Sequence, residues 1–200
     1  EFACAKEKGL PMLTRAELLG QIMRNYDTPV AISGTHGKTT TTSMVSHILL
    51  AGDCDPTISV GGILPAIGGN IRVGNSETFV TEACEYTNSF LSFFPKISII
   101  LNMDADHLDF FKDIDDIRHS FRRFAELLPA DGTLIINADT PKYEDIIRDL
   151  PCNVITYGLE HDADYQAADI TYDKYGHASF SVLRNGVKVG SYYLKVPGIH

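Results

Sequence analysis

The stretch AISGTHGKTTTT, residues 31–42, sets two glycines, one lysine and a run of hydroxyl side chains where an apolar segment hands over to a helical pattern. A strand-to-helix corner exposes backbone N–H groups that have no intrahelical partner. Together with the positive end of the helix dipole they suit a phosphate. Gly34 and Gly37 let the backbone curl close to the anion, Lys38 adds a mobile cation, and Thr39 places a hydroxyl where it can ligate Mg²⁺. Gly34, Thr35, His36, Gly37, Lys38, Thr39 and Thr40 are therefore the candidate nucleotide-binding loop, with ATP and Mg²⁺ as the expected cofactors. The spacing departs from the general G-x-x-x-x-G-K-[ST] pattern, because Ile32 stands where its first glycine belongs. The strand before the loop and the helix after it supply the context that the short motif lacks. The competing reading is a Gly-rich turn with a solvent-facing lysine.

Magnesium needs further oxygen or nitrogen partners, and in open α/β sheets ligands gather at the carboxyl ends of strands. Glu82 closes the apolar run TFVTEA, and Glu85 lies three residues on. LNMDADHLD closes KISIIL and brings Asn102, Asp104, Asp106, His107 and Asp109 into one short loop. By itself such a loop is a solvated turn and a lone histidine is structural. Beside a phosphate loop, Glu82 and His107 become candidate metal ligands with Thr39, and Lys38, Glu82 and His107 the candidate catalytic set.

These residues need a scaffold, and the rest of the chain describes one. Thr14 can cap a helix carrying Leu18, Leu19, Ile22 and Met23. PVAIS reads as a strand, and Met44, Val45, Ile48 and Leu49 give the apolar face of a helix ending at Gly52. TISVGG, TFVTEA, KISIILN, GTLIINAD and NVITYG are turn-bounded apolar runs without clean alternation, as in parallel strands buried on both faces. Ile114, Ile117, Phe121, Phe124 and Leu128 predict an amphipathic helix with Arg118, Arg122 and Arg123 on its solvated side. A further helix is expected over residues 141–150, opened by Pro141. After about residue 163, ADITYD, HASFSVLR and KVGSYYLKV read as antiparallel strands, with Asn185-Gly186 a hairpin turn between the last two. This tail reads as scaffold, and Gly61-Gly62 and Gly68-Gly69 as loop geometry. The fold class is α/β: a P-loop-type, mostly parallel sheet flanked by helices, with a small antiparallel section near the C-terminus.

Composition is that of a soluble globular protein, 44% hydrophobic and 22% charged. The net charge of −9 argues against a nucleic-acid partner, and no run approaches membrane-spanning length. Cys4, Cys54, Cys84 and Cys152 lack metal-site spacing and are expected as reduced, mostly buried thiols of a cytoplasmic protein.

GTHGKTTTT, TEACE, LNMDADHLD, NADTP and the terminal VPGIH occur in the order and spacing of the Mur ligases, and the chain resembles the alanine-adding branch of that family over nearly its whole length. The resemblance implies a bacterial, cytoplasmic, ATP-dependent amide-forming ligase of peptidoglycan biosynthesis. Residues 1–28 would be the tail of an N-terminal UDP-sugar-binding domain and its linker, and residues 29–200 a central ATP-binding domain. It implies UDP-N-acetylmuramate and L-alanine as substrates of the full-length enzyme, an acyl-phosphate intermediate, and no nucleic-acid or membrane partner. It implies that Thr39 ligates a first Mg²⁺, Glu82 approaches two ions and His107 holds the second. Related ligases carry a carbamylated lysine about fifteen residues after that histidine. Here the region reads DIRHSFRRF, with no lysine. The family's PGxHN asparagine would fall past His200. The resemblance therefore implies an incomplete adenine pocket and a fragment inactive by itself. A murein-tripeptide recycling ligase and a non-catalytic nucleotide-binding module stay open as alternatives.

Overall fold

The computed structural model describes residues 1–198. A single ten-stranded sheet runs through it, in the order β10-β9-β8-β7-β6-β5-β1-β4-β2-β3. Its six-strand parallel centre is β7 (Asn153–Gly158), β6 (Thr133–Asn137), β5 (Ile97–Ile100), β1 (Thr28–Ser33), β4 (Thr78–Glu82) and β2 (Thr57–Leu64). β8 (Tyr165–Tyr172) joins β7 in parallel, and β9 (His177–Arg184) and β10 (Val187–Pro197) continue antiparallel. The α/β class and the antiparallel C-terminal section are as expected. Asn185 and Gly186 both have positive φ, 48° and 76°, the geometry that a two-residue hairpin turn requires.

Alternation along the strands sorts the core onto two faces. On one face Val30, Ile32 and Val80 meet Val45 and Leu49 of α3 (Lys38–Ala51). On the other, Ala31, Phe79, Ile100, Leu134 and Ile136 pack under α4 (Ile114–Ala125) and the segment 86–93. Asp113 caps α4, its carboxylate accepting from Asp115 and Asp116 N–H, while Ile117, Phe121 and Phe124 point inward. The Phe90 ring lies 4.6 Å from Phe124, interplanar angle 3°, and meets Phe121 edge-on at 5.5 Å. Phe90→Ala would leave a cavity between these rings, and a loss of about 3–5 kcal/mol is expected in chemical denaturation.

α2 (Arg15–Met23) starts in a capping box, Thr14 and Glu17 each accepting the other's backbone N–H. Its Met23 is fully buried in the larger core cluster, with Ala16 and Leu19 packed against it. α1 (Phe2–Glu7) buries none of its residues.

Three expectations are corrected. The helix over residues 141–150 shrinks to α5 (Tyr143–Ile147): Lys142 turns left-handed at φ 63°, and Arg148 leaves helical geometry. At this end the Arg122 guanidinium donates to the carbonyls of Ile146 and Arg148, and the first of these is the acceptor that a helix reaching Leu150 would need. Arg122 is thus structural, Arg118 is mostly buried, and Arg123 is the solvated member of the three. Second, of Gly68-Gly69 only Gly68 is loop geometry, left-handed at φ 67°, whereas Gly69 begins an edge strand, β3 (Gly69–Arg72), which pairs antiparallel with β2. Third, three of the four cysteines are exposed; all are unpaired, and only Cys152 is buried.

Candidate active site

β1 lies between β4 and β5, so the loops leaving the carboxyl ends of all three meet. Ligands in open α/β sheets bind at such a point. The loop after β1 is fitted closely to the loop after β5. Gly34 has φ 147°, and a Cβ there would stand 2.9 Å from Leu101 Cβ and 3.2 Å from Asn102 N. Asn102 grips the tip with both ends of its amide: Oδ1 accepts from His36 N–H at 2.8 Å and Nδ2 donates to His36 O at 3.0 Å. Thr35 Oγ1 accepts from Asp104 N–H at 2.9 Å. Gly37, at φ 81°, is the N-cap of α3, so Lys38 is the first helical residue. The free N–H groups of the first turn thus open onto the concave side of a rigid loop.

Thr39 Oγ1 donates to Glu82 Oε2 at 3.1 Å, and Glu82 Oε1 accepts the Gly61 N–H at 2.5 Å. A Cβ on Gly61 would come within 2.8 Å of Glu82 Oε2, which explains a glycine inside β2: the carboxylate needs that space. Lys38 Nζ donates to Gly34 O at 2.5 Å, to Thr35 O at 3.1 Å, and to both oxygens of Glu85, at 3.1 and 2.9 Å. Glu85 is only 2% exposed. His107 Nε2 lies 3.7 Å from Glu85 Oε1. The His107 backbone is left-handed at φ 51°, and its carbonyl accepts from the N–H groups of Phe110 and Phe111. Its ring is covered by Tyr86, centroids 4.5 Å apart, and the Tyr86 hydroxyl donates to Asp109 at 2.7 Å.

The donor set suits a hard cation. No group of three His, Cys, Asp or Glu side chains among the described residues could hold a metal ion. The hydroxyl of Thr39 and the carboxylate of Glu82 nevertheless converge on the loop mouth. That is the sparse protein contribution characteristic of Mg²⁺, which takes one or two carboxylates and completes its octahedron with phosphate oxygens and water.

Beside the loop opens a cavity of about 480 Å³, bounded by Gly37, Thr40, Leu101 and Tyr157 and, opposite, by Ala167 and Phe180. The antiparallel strands, expected as scaffold, form its far wall. At its rim the Asp139 carboxylate accepts from the N–H groups of Leu159, Glu160 and His161 and contacts His161 Nδ1 at 2.9 Å. Partial burial pushes the Asp139 pKa up, but these hydrogen bonds outweigh it and hold the carboxyl below its ordinary value. His200, the end of the family's PGxH signature, lies outside the described residues.

The expected residues are therefore gathered: Lys38, Thr39 and Glu82 around the loop, and His107 against Glu85. The structure adds Gly61, Asn102 and Glu85 to these: Glu85 and Asn102 stand in the two strand-end stretches that the sequence marks as sources of metal partners, and Gly61 in a glycine pair read as loop geometry.

A family model described as the Mur ligase middle domain matches residues 32–200. The UDP-N-acetylmuramate–L-alanine ligases of Lachnospira eligens and Agathobacter rectalis are 64% and 60% identical to the chain, over all of it and 44% of each relative. The chain thus spans less than half the length of these curated relatives. Among solved structures, the UDP-N-acetylmuramate-alanine ligase of Thermotoga maritima overlays with a TM-score of 0.82 at 27% identity, covering 99% of this chain and 44% of that one. The UDP-N-acetylmuramate:L-alanyl-gamma-D-glutamyl-meso-diaminopimelate ligase of Neisseria meningitides overlays at 0.86 with 25% identity, covering 98% and 64%. The loop after β1, its bracing by the loop after β5 and this match over residues 32–200 coincide on one stretch of chain, which belongs to the Mur ligase family.

Proposed function

We propose that this chain is the ATP-binding part of a ligase that joins L-alanine to UDP-N-acetylmuramate in the bacterial cytoplasm. The convergence of Lys38, Thr39 and Glu82 on the first turn of α3 carries this reading. Residues 1–28 would close an N-terminal UDP-sugar-binding domain, and residues 29–200 would be the nucleotide domain. The N–H groups of residues 37–40 bind the phosphates and Lys38 neutralises the terminal ones. The apolar cavity beside Thr40, about 480 Å³, has the volume to take a purine. Mg²⁺, held by Thr39 and Glu82 and by His107 for a second ion, would supply positive charge at the transferring phosphoryl group. In the reaction so proposed, the substrate carboxylate attacks the γ-phosphorus and ADP leaves; the alanine amine then attacks the acyl phosphate, losing a proton and expelling phosphate to give the amide. No helix among the described residues is long and apolar enough to cross a membrane, which is compatible with this setting.

A murein-peptide ligase is the second reading, favoured by the 0.86 overlay on the Neisseria enzyme. The 60–64% identity to alanine ligases, against 25% to that enzyme, supports the first. Phosphate release by the full-length protein with ATP, Mg²⁺ and UDP-N-acetylmuramate decides between them. L-Alanine is expected to support turnover at least a hundredfold better than the L-alanyl-γ-D-glutamyl-diaminopimelate tripeptide, a margin set by unpaired polar groups in the wrong complex. The reverse preference would overturn the assignment, and no turnover with either would favour a binding module.

A further inference from the structure

We propose that Glu85 is a positioning residue that latches Lys38 away from the phosphate site and releases it when a phosphate arrives. The proposal rests on the phosphate-loop reading above. An ammonium group has three protons, and Lys38 Nζ already has four acceptors around it: two carbonyls of its own loop and both oxygens of Glu85. A phosphate oxygen therefore engages Nζ only by displacing one of them. The two carbonyls cannot retreat, because Asn102 and Asp104 brace the loop that carries them. Glu85 is the partner that yields.

A buried carboxylate abandoned by its counter-charge would be costly, and Glu85 is 2% exposed. The structure supplies a replacement. His107 Nε2 stands 3.7 Å from Glu85 Oε1, too far for a hydrogen bond and near enough to close into one with a small shift. The Tyr86 ring lies against the imidazole at a tilt of 31°, and its hydroxyl is tied to Asp109, so the imidazole is held beside Glu85. Phosphate arrival would thus pass Glu85 from Lys38 to His107. A carboxylate on one ring nitrogen fixes the tautomer and frees the other nitrogen as a ligand.

The latch lowers the fraction of molecules competent to bind phosphate, and apparent affinity falls by that fraction. Glu85→Gln keeps the shape and removes the charge. In the full-length protein it is expected to tighten metal-free ADP binding about tenfold, measured by calorimetry in a chelator, while kcat of ligation falls about tenfold. A role confined to stability would weaken both. Lys38→Met in the same titration separates the two proposals. If it leaves ADP affinity unchanged, the phosphate-loop reading fails and the latch with it. If it weakens ADP binding while Glu85→Gln leaves affinity unchanged or lower, the latch alone is overturned. The double variant Lys38→Met/Glu85→Gln buries no lone charge, so it reports even if Glu85→Gln folds poorly. With Lys38 absent there is nothing to latch, and its ADP affinity should equal that of Lys38→Met; a tenfold gain in the double variant would also overturn the latch.

Discussion

Lys38→Ala is expected to weaken Mg·ATP binding by about a hundredfold, the scale of a charge-assisted hydrogen-bond set to phosphate. Lys38 is the one lysine or arginine in residues 34–40, so no neighbour in the loop can replace it. The structure adds a second consequence that the sequence hides. Lys38 neutralises the buried Glu85, and its removal takes away the one lysine or arginine paired with that carboxylate, leaving His107 at 3.7 Å as its nearest basic group. Thermal stability should therefore fall along with affinity. Lys38→Ala/Glu85→Gln separates the two effects, because it restores a neutral pair. Stability is expected to recover in the double variant, whereas Mg·ATP affinity stays low. Calorimetric titration of the full-length protein, with thermal unfolding beside it, reads both. Wild-type affinity in Lys38→Ala would overturn the assignment of the loop.

The contrast between Lys38 and Glu85 shows what was legible in the sequence. Lys38 sits in a local signal, glycine-rich and flanked by a strand and a helix, and local signals survive without coordinates. Glu85 becomes a site residue only through burial and through a contact 47 positions away in the chain. Asn102 is similar: its amide is meaningful only when the loop after β5 lies beside the loop after β1, a neighbourhood that strand order creates. The central parallel strands were readable because continuous apolar runs bounded by turns have few other uses. α5 was overread because Pro141 and the apolar spacing of Ile146, Ile147 and Leu150 suggested three turns. A guanidinium from α4, invisible locally, takes the carbonyls instead. α3 shows a milder version. Its buried positions are the small polar Thr42 and Ser46, while Ile48 is exposed, so hydrophobic spacing placed the right helix with an imperfect inner face. The cavity had no sequence signal, since its walls come from strands far apart in the chain.

Removing the oxygen or nitrogen donors opposite the loop should affect chemistry far more than binding of the UDP-sugar. Glu82→Gln is the cleaner first variant. Its amide oxygen can still accept from Gly61 N–H and its NH₂ can still reach Thr39, so the β2–β4 geometry is retained while the negative charge is lost. For His107 the backbone decides the choice. At φ 51°, alanine would add strain of its own, whereas asparagine tolerates the left-handed region, so His107→Asn isolates the imidazole. Each variant is expected to lower kcat of the full-length enzyme by about 10²–10³, the cost of losing one preorganised electrostatic partner in a water-poor site. UDP-N-acetylmuramate affinity should stay within about threefold, because additivity holds for distant sites and the proposal assigns uridine to a separate domain. The pair also carries an internal check. Glu82 touches Thr39 directly, so its loss should weaken Mg²⁺-dependent nucleotide binding as well as turnover. His107 stands beside Glu85 and Tyr86 and makes no side-chain hydrogen bond to residues 34–40, so its loss should fall mainly on kcat. A His107→Asn enzyme with normal kcat would reduce LNMDADHLD to a turn that braces Thr35 and His36, and would leave Thr39 and Glu82 as the side chains proposed to hold the metal.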